Sequence, residues 1–230
     1  MANGDNMKAF GLKNVAAKLP ADWQVALRRR MYARQIRRGT FRTTEPEWAR
    51  LGEWVKEGDW VLDIGANIGH YTARLSALAG ATGRVLAFEP VATTFHLLSA
   101  NARLFKHANV SLFQAAVSDR TAVQEMIIPS FETGLKNYYE AELTGNGSGD
   151  VSVLTLAIDA LDLPGRVSLV KIDAEGHERA VLEGMKRLLA VQKPVLIVET
   201  GDKEVVEWLE RLGFSATRLK GSPNVLLLPK

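Results

Sequence analysis

Four acidic residues each stand at the end of a short apolar run in this sequence of 230 residues. They are Asp63, Glu89, Asp173 and Glu199, and Gly65 closely follows the first of them. Apolar runs that alternate with helical patterns predict a buried parallel sheet, and the acids then gather at its carboxyl edge. Such an edge suits a ligand with hydroxyl groups and a positive charge, because carboxylates accept hydrogen bonds and neutralise cations.

The loop after the first predicted strand carries the most detailed signal. Gly65 allows a tight turn and lets a ligand approach the backbone, and Gly69 permits close packing where a helix begins. Glu89 ends the second strand, where a carboxylate can accept hydrogen bonds from both hydroxyls of a ribose. A nicotinamide dinucleotide also uses such an acid. However, its glycine fingerprint is broken here by Asn67, and Asp63 would repel a pyrophosphate. The loop therefore favours a ligand with an α-amino or sulfonium end.

Seven short apolar runs, alternating with helical patterns, predict the α/β class with helices on both faces of a mostly parallel sheet. The predicted strands are 60–64, 84–89, 110–115, 169–173, 194–199, 214–219 and 224–228. The last two are too close for a crossover helix, so they form a hairpin and one of them runs antiparallel. One helix is predicted through Val181, Met185 and Leu188, at i, i+4 and i+7.

Residues 120–156 interrupt this alternation. They are predicted to form extra strands at 125–128 and 151–156, with a polar loop around 146–149. Long polar insertions in compact domains are usually either functional or mobile. Tyr138 and Tyr139 within the insertion either line a binding pocket or pack the insertion onto the sheet.

The composition is that of an ordinary globular chain, with 47% apolar and 24% charged residues. There is no apolar run long enough for a membrane span, and a secretory signal is not expected. The absence of cysteine excludes a disulfide scaffold, a thiolate zinc site and a cysteine nucleophile. A cytoplasmic location is expected.

Positive charge is concentrated in residues 1–50, which hold eleven Lys and Arg against four Asp and Glu, a net charge of +7. We expect a basic helical segment over 1–50 and one domain over 51–230. The basic surface either binds an anionic partner (nucleic acid, a membrane surface or a phosphorylated substrate) or is a solvated helix face. No nucleic-acid motif accompanies it, which favours the second interpretation. Trp23, Leu27 and Met31 lie at i, i+4 and i+8, and this stripe is predicted to dock the helix on the domain. The arginines concerned are Arg28, Arg29, Arg30, Arg34, Arg37 and Arg38.

Four segments together resemble the FkbM family of class I S-adenosylmethionine-dependent methyltransferases. They are Val61-Leu-Asp-Ile-Gly-Ala-Asn-Ile-Gly-His-Tyr71, Phe88-Glu-Pro90, Ala115-Ala-Val-Ser-Asp119 and Val170-Lys-Ile-Asp-Ala-Glu-Gly-His-Glu178. The last is the most specific, and the match covers roughly residues 45–200 in order.

The resemblance implies a Rossmann-like seven-stranded sheet of order 3-2-1-4-5-7-6 with the last strand antiparallel. It implies methyl transfer from S-adenosylmethionine to a hydroxyl of a sugar or natural-product-type small molecule. The insertion at 120–156 would then help to form the acceptor site. The residues assigned to the cofactor are Asp63, Gly65, Asn67, Gly69, Glu89, Pro90, Val117, Ser118, Asp119 and Asp173.

A hydroxyl acceptor must also lose its proton. The candidates for this role are Asp173, Glu175, His177 and Glu199. His177 titrates near neutrality and could act as the base. Alternatively, Asp173 and Glu199 could hold a divalent cation that acidifies the hydroxyl. We favour the route without metal, because no Asp-Asn or Asp-Asp pair follows the fifth strand, where Thr200 and Gly201 stand instead.

Other functional classes stay open. A nicotinamide-dependent oxidoreductase could use a similar sheet, and a non-catalytic module could bind nucleic acid through the basic segment. RNA bases are not expected as acceptors, because no N-P-P-Y motif follows the fourth strand. The expected partner is a small molecule, and a homo-oligomer is neither indicated nor excluded. Glu45, just before Pro46, could reach over the cofactor as part of a lid.

Overall fold

The computed structural model describes residues 20–129, 141–144 and 149–230. The strands in these residues are β1 Trp60–Ile64, β2 Arg84–Phe88, β3 Val110–Phe113, β4 Ala116–Val117, β5 Ala122–Ile127, β6 Glu142–Thr144, β7 Val151–Leu156, β8 Val167–Ile172, β9 Val195–Glu199, β10 Phe214–Arg218 and β11 Asn224–Pro229. The helices are α1 Ala21–Arg37, α2 Pro46–Arg50, α3 His70–Ala79, α4 Ala92–Ala102, α5 Glu178–Glu183, α6 Lys186–Gln192 and α7 Lys203–Arg211. None of these helices combines the length and apolar character needed to cross a membrane.

The large sheet has seven strands in the order β10-β11-β9-β8-β1-β2-β3. Counted along the chain, this is the expected order 3-2-1-4-5-7-6. The central strands are parallel, and β11 is antiparallel to both of its neighbours. Two buried apolar clusters cover the two faces of this sheet. The strand order reverses between β1 and β8, so their carboxyl ends form the crevice in which α/β sheets bind ligands.

A second sheet, of order β4-β7-β5-β6, accounts for the insertion. The prediction of a strand to residue 115 was too long, because β3 ends at Phe113 and the chain then leaves the large sheet. Residues 116–117 pair instead with β7. Tyr138, Tyr139 and residues 146–148 of the predicted polar loop lie outside the described residues.

The helix predicted through Val181, Met185 and Leu188 is divided into α5 and α6 at Gly184. A Cβ atom at Gly184 would lie only 1.9 Å from the carbonyl oxygen of Ser118. The three apolar residues are nevertheless all buried, so the period correctly identified their common face. The break follows from the close approach of this turn to the strand that leaves the large sheet.

The prediction for the α1 stripe was wrong. Trp23, Leu27 and Met31 point away from the domain and are 69%, 49% and 45% exposed. The opposite face packs, with Tyr32 at its centre, against a cluster that includes Phe41. Both faces of this helix carry apolar residues, and the face with the buried aromatic ring is the one that packs.

Candidate active site

The ends of β1, β2 and β8 are locked together around Gly65. The backbone N–H groups of Gly65 and Ala66 both donate to the carbonyl of Phe88, at 3.0 and 2.9 Å. The N–H of Asp173 donates to the carbonyl of Ile64 at 3.0 Å. Gly65 has a φ of 74°, and a Cβ atom there would lie 1.8 Å from the carbonyl oxygen of Asp173. Only glycine therefore fits where these two loops meet.

Asp63 lies in β1 and is 1% exposed. Its carboxylate accepts a hydrogen bond of 2.5 Å from the hydroxyl of Thr72 on α3. Burial raises the pKa of Asp63 to about 6, although Thr72 and the nearby Lys171 act in the opposite direction. Sequence reasoning missed this threonine, because it occupies an ordinary position in the predicted helix.

Glu89 follows β2 and connects it to the glycine loop. One carboxylate oxygen accepts from the N–H of Val91 and the other from the N–H of Asn67, both at 2.9 Å. Asn67 has a left-handed φ of 50°, and its own side-chain oxygen accepts from the N–H of Ile68 at 2.8 Å. Burial is the main reason that the pKa of Glu89 is raised to about 7. Each oxygen keeps further lone pairs for a ligand hydroxyl.

Lys171 is a buried cation among these acids, and sequence reasoning missed its contribution. It is 2% exposed, and its ammonium lies 3.7 Å from Asp173 Oδ2 and 5.2 Å from the centre of the Tyr71 ring. It also donates to the carbonyl of Ile172 at 3.3 Å. A signal was present in the sequence, because a lysine inside a strand buried on both faces normally has a charged partner.

Three clefts open at this edge of the sheet. The β2-side cleft is lined by Glu89, Val117 and His177, and by Met126 and Leu143 of the small sheet. The α1-side cleft is lined by residues of α1 and of the segment that follows it, together with Asp63, Tyr71 and Lys171. The β9-side cleft is lined by Glu175, Glu199 and Arg218. The first two clefts share Gly65, Asn67 and Asp173, so Asp173 stands at their junction.

Most of the residues assigned to the cofactor line these clefts. Those in the β2-side cleft are Gly65, Asn67, Glu89, Pro90, Val117 and Asp173. Asp63 lines the α1-side cleft. Gly69 lies beneath the loop, where a Cβ atom would be 2.8 Å from Leu98. Ser118 and Asp119 line none of the three clefts.

Ser118 instead joins the loop after β4 to the start of α5. Its buried hydroxyl donates to Asp119 Oδ1 at 3.1 Å and lies 2.9 Å from His177 Nε2. Burial lowers the pKa of His177, although Asp119 acts in the opposite direction.

The other two predicted catalytic acids lie farther along the edge. Glu175 has a left-handed φ of 46° and lines both the β2-side and β9-side clefts. Glu199 lines only the β9-side cleft, and its pKa is raised, mainly by burial and then by Asp173. Asp173 and Glu199 do not line a common cleft. Among the described residues, no three His, Cys, Asp or Glu side chains form a group suited to a metal ion.

Glu45 lines the α1-side cleft, and its role as part of a lid stays a prediction. The hydroxyl of Tyr71 donates to Glu45 and also lies 3.1 Å from Glu47. Glu47 is completely buried and accepts hydrogen bonds from Ser222 and Asn224. These contacts fasten the segment after α1 to the last hairpin of the sheet.

The sequence profile of the methyltransferase FkbM domain matches residues 63–216, which include the end of β1 with Asp63 and the whole of β2, β8 and β9. The chain belongs to the FkbM methyltransferase family. The hexuronic acid methyltransferase AglP of Haloferax volcanii is 30% identical to this FkbM protein over 184 residues, which cover 72% of this chain and 68% of AglP.

Two solved structures share the fold of this FkbM protein. An FkbM methyltransferase from Methylobacillus flagellatus KT is 15% identical with a TM-score of 0.54, and the match covers 74% of this chain and 43% of that one. The chain thus spans less than half the length of that relative. A methyltransferase from Geobacter sulfurreducens is 15% identical with a TM-score of 0.51, and the match covers 97% of this chain and 94% of that one.

Proposed function

We propose that this protein transfers a methyl group from S-adenosylmethionine to a hydroxyl of a sugar or natural-product-type small molecule. The observation that carries the proposal is the β2-side cleft, which meets the α1-side cleft at Gly65 and Asp173. Membership of the FkbM family supports methyl transfer. The relative AglP, described as a hexuronic acid methyltransferase, supports a sugar as acceptor.

The residues of the β2-side cleft fit the adenosine part of this cofactor. Glu89 would accept hydrogen bonds from the two ribose hydroxyls. The apolar side chains of Val117, Met126 and Leu143 provide walls for a flat purine ring. The absence of a side chain at Gly65 leaves the backbone accessible to the ligand.

The charges of the site also fit a cationic ligand. Asp63 and Glu89 are buried with raised pKa values of about 6 and about 7, and Asp173 contributes to both shifts. Lys171 is the buried cation beside them. A ligand with a sulfonium and an α-amino group would supply further positive charge and favour the ionised form of both acids.

When bound, the cofactor supplies a methyl group on a positively charged sulfur, which is displaced in line by the acceptor oxygen. The protein contributes positioning, which can account for much of the rate in such a reaction. We assign Asp173 as the proton acceptor, because it stands at the junction of the two clefts with its side chain 32% exposed. Lys171 holds this carboxylate in place from 3.7 Å. His177, whose Nε2 is engaged by Ser118, forms part of the wall of the β2-side cleft.

Calorimetric titration with S-adenosylmethionine, S-adenosylhomocysteine and NAD tests the cofactor. We expect micromolar binding of the two sulfur ligands, at least tenfold weaker binding in Asp63→Ala and Glu89→Ala, and no binding of NAD. Asp162→Ala, an acid outside the three clefts, is the matched control. Tight binding of NAD with no sulfur ligand bound would instead indicate the oxidoreductase.

Turnover with a panel of hydroxylated acceptors, starting with hexuronic acids, tests the reaction and its base. We expect Asp173→Asn to abolish methyl transfer while the cofactor affinity changes only a few fold. Transfer that stops in EDTA and returns with Mg²⁺ would favour the metal-assisted route through Asp173 and Glu199. Full turnover by Asp173→Asn would show that Asp173 is structural and that the base is misassigned.

A further inference from the structure

Three large apolar side chains stand on the outward face of α1. Trp23, Leu27 and Met31 are 69%, 49% and 45% exposed, and they span about 80° of the helix circumference. Single exposed apolar residues are common on proteins, but a continuous row on one helix face marks an interaction surface. The opposite face is already used, because Tyr32 packs there against the domain.

Exposed arginines surround this apolar row. They are Arg30, Arg34, Arg37 and Arg38. Within the part of the chain that the structure describes, none of them forms an ion pair with another side chain. At 100° per residue, Arg34 projects between Trp23 and Leu27, and Arg30 projects beside Trp23. Asp22 is the one acid of α1. The outward face therefore combines apolar groups with a dense positive charge.

We propose that the outward face of α1 binds the surface of an anionic lipid membrane. Tryptophan and aliphatic side chains enter the boundary between headgroups and acyl chains, while arginines contact lipid phosphates. Nucleic acid would engage the arginines but leave Leu27 and Met31 in water. A second copy of the chain would bring two arginine clusters together and be opposed by their repulsion.

Because α1 also borders the candidate active site, membrane binding through α1 would place that site close to the lipid surface. Tyr32 and Gln35, on the inner side of the same helix, line the α1-side cleft. A membrane-bound α1 would hold that cleft roughly one helix diameter, about 10 Å, from the lipid surface. The membrane proposal does not depend on the proposed reaction, because binding to vesicles requires neither cofactor nor acceptor.

Flotation of the full chain with vesicles tests the proposal. The vesicles contain phosphatidylcholine alone or with 30% phosphatidylglycerol, at low and at physiological salt. One variant, Arg30→Glu with Arg34→Glu, reverses two charges of the face, and another, Trp23→Gln with Leu27→Gln and Met31→Gln, removes the apolar row. The matched controls are Lys203→Glu with Arg211→Glu, the same charge change on α7, and Val191→Gln with Leu212→Gln, two exposed apolar residues elsewhere.

We expect binding to the anionic vesicles only, at least about 25-fold weaker in the charge variant, since each arginine near the surface contributes about fivefold. The apolar variant should also lose binding, and both controls should retain it. Absence of vesicle binding, or binding indifferent to the apolar variant, would overturn the proposal. The proposal would also be overturned if the protein preferred an RNA oligonucleotide to the vesicles. The same holds if sedimentation showed a dimer that dissociates in the apolar variant.

Discussion

Replacement of Gly65 by alanine tests whether the close approach of two loops builds the site. The added Cβ would lie 1.8 Å from the carbonyl oxygen of Asp173, whereas real contacts of this kind are not found below 3.0 Å. The two loops must therefore separate by about 1.2 Å. A misplacement of about 1 Å can cost on the order of 100-fold in rate. We expect Gly65→Ala to lower kcat/KM for methyl transfer by at least about 100-fold.

Gly39 provides a matched control for the conformational part of this effect. It has a φ of 67°, close to the 74° of Gly65, but a Cβ there would meet nothing within 4 Å. Alanine in the left-handed region costs about 1–2 kcal/mol at either position. For a chain of this size, that corresponds to a fall in Tm of roughly 2–8 °C.

Thermal unfolding and cofactor titration of both variants separate the two contributions. Gly39→Ala should lose only this stability and bind the cofactor normally. Gly65→Ala should lose more stability and most of its affinity. Equal behaviour of the two variants in both assays would refute the argument that loop contact, rather than backbone conformation, requires Gly65.

Three further perturbations probe the buried polar contacts. Because the pKa of Glu89 is raised to about 7, the ionised fraction of this carboxyl group rises about tenfold between pH 6 and pH 8. Cofactor affinity measured by calorimetry should therefore rise about tenfold over the same range. The affinity of Glu89→Gln should not depend on pH in this way. Thr72→Val removes the hydrogen-bond donor to the Asp63 carboxylate and should lower the free energy of unfolding, measured by urea denaturation, by roughly 1–3 kcal/mol. The loss should be larger at pH 8 than at pH 5, because Asp63 is ionised at pH 8. Tyr71→Phe removes the hydroxyl that holds Glu45 and should increase proteolytic cleavage between residues 38 and 50; an unchanged cleavage rate would contradict this role.

The acids and glycines of the site were predictable because each follows from a local pattern. An apolar run of five residues, then an acid or a glycine, marks a strand end whether or not the rest of the chain is known. Asp173 does lie close enough to Asp63, Glu89 and Glu199 to raise the pKa of each of these three carboxyl groups. The order of the seven strands rested on the family resemblance, and the structure has that order.

The contacts between distant segments could not be read from local patterns. Tyr71, Glu47 and Asn224 come from three separate parts of the chain. The hydrogen bond between Ser118 and His177 joins residues 59 positions apart. The hydrophobic periodicity of the sequence does not predict such pairs, because they form only when packing brings two distant segments together.

The α1 helix illustrates both what the local sequence determines and what tertiary packing decides. Its sequence by itself determined that a helix forms and that Trp23, Leu27 and Met31 share one face, because helical geometry fixes which residues are neighbours. Only the tertiary structure decided that this face turns outward and that Tyr32 packs inward. The reason is that the period of a helix is set by its own backbone, whereas its orientation is set by which face buries more apolar surface against the rest of the fold.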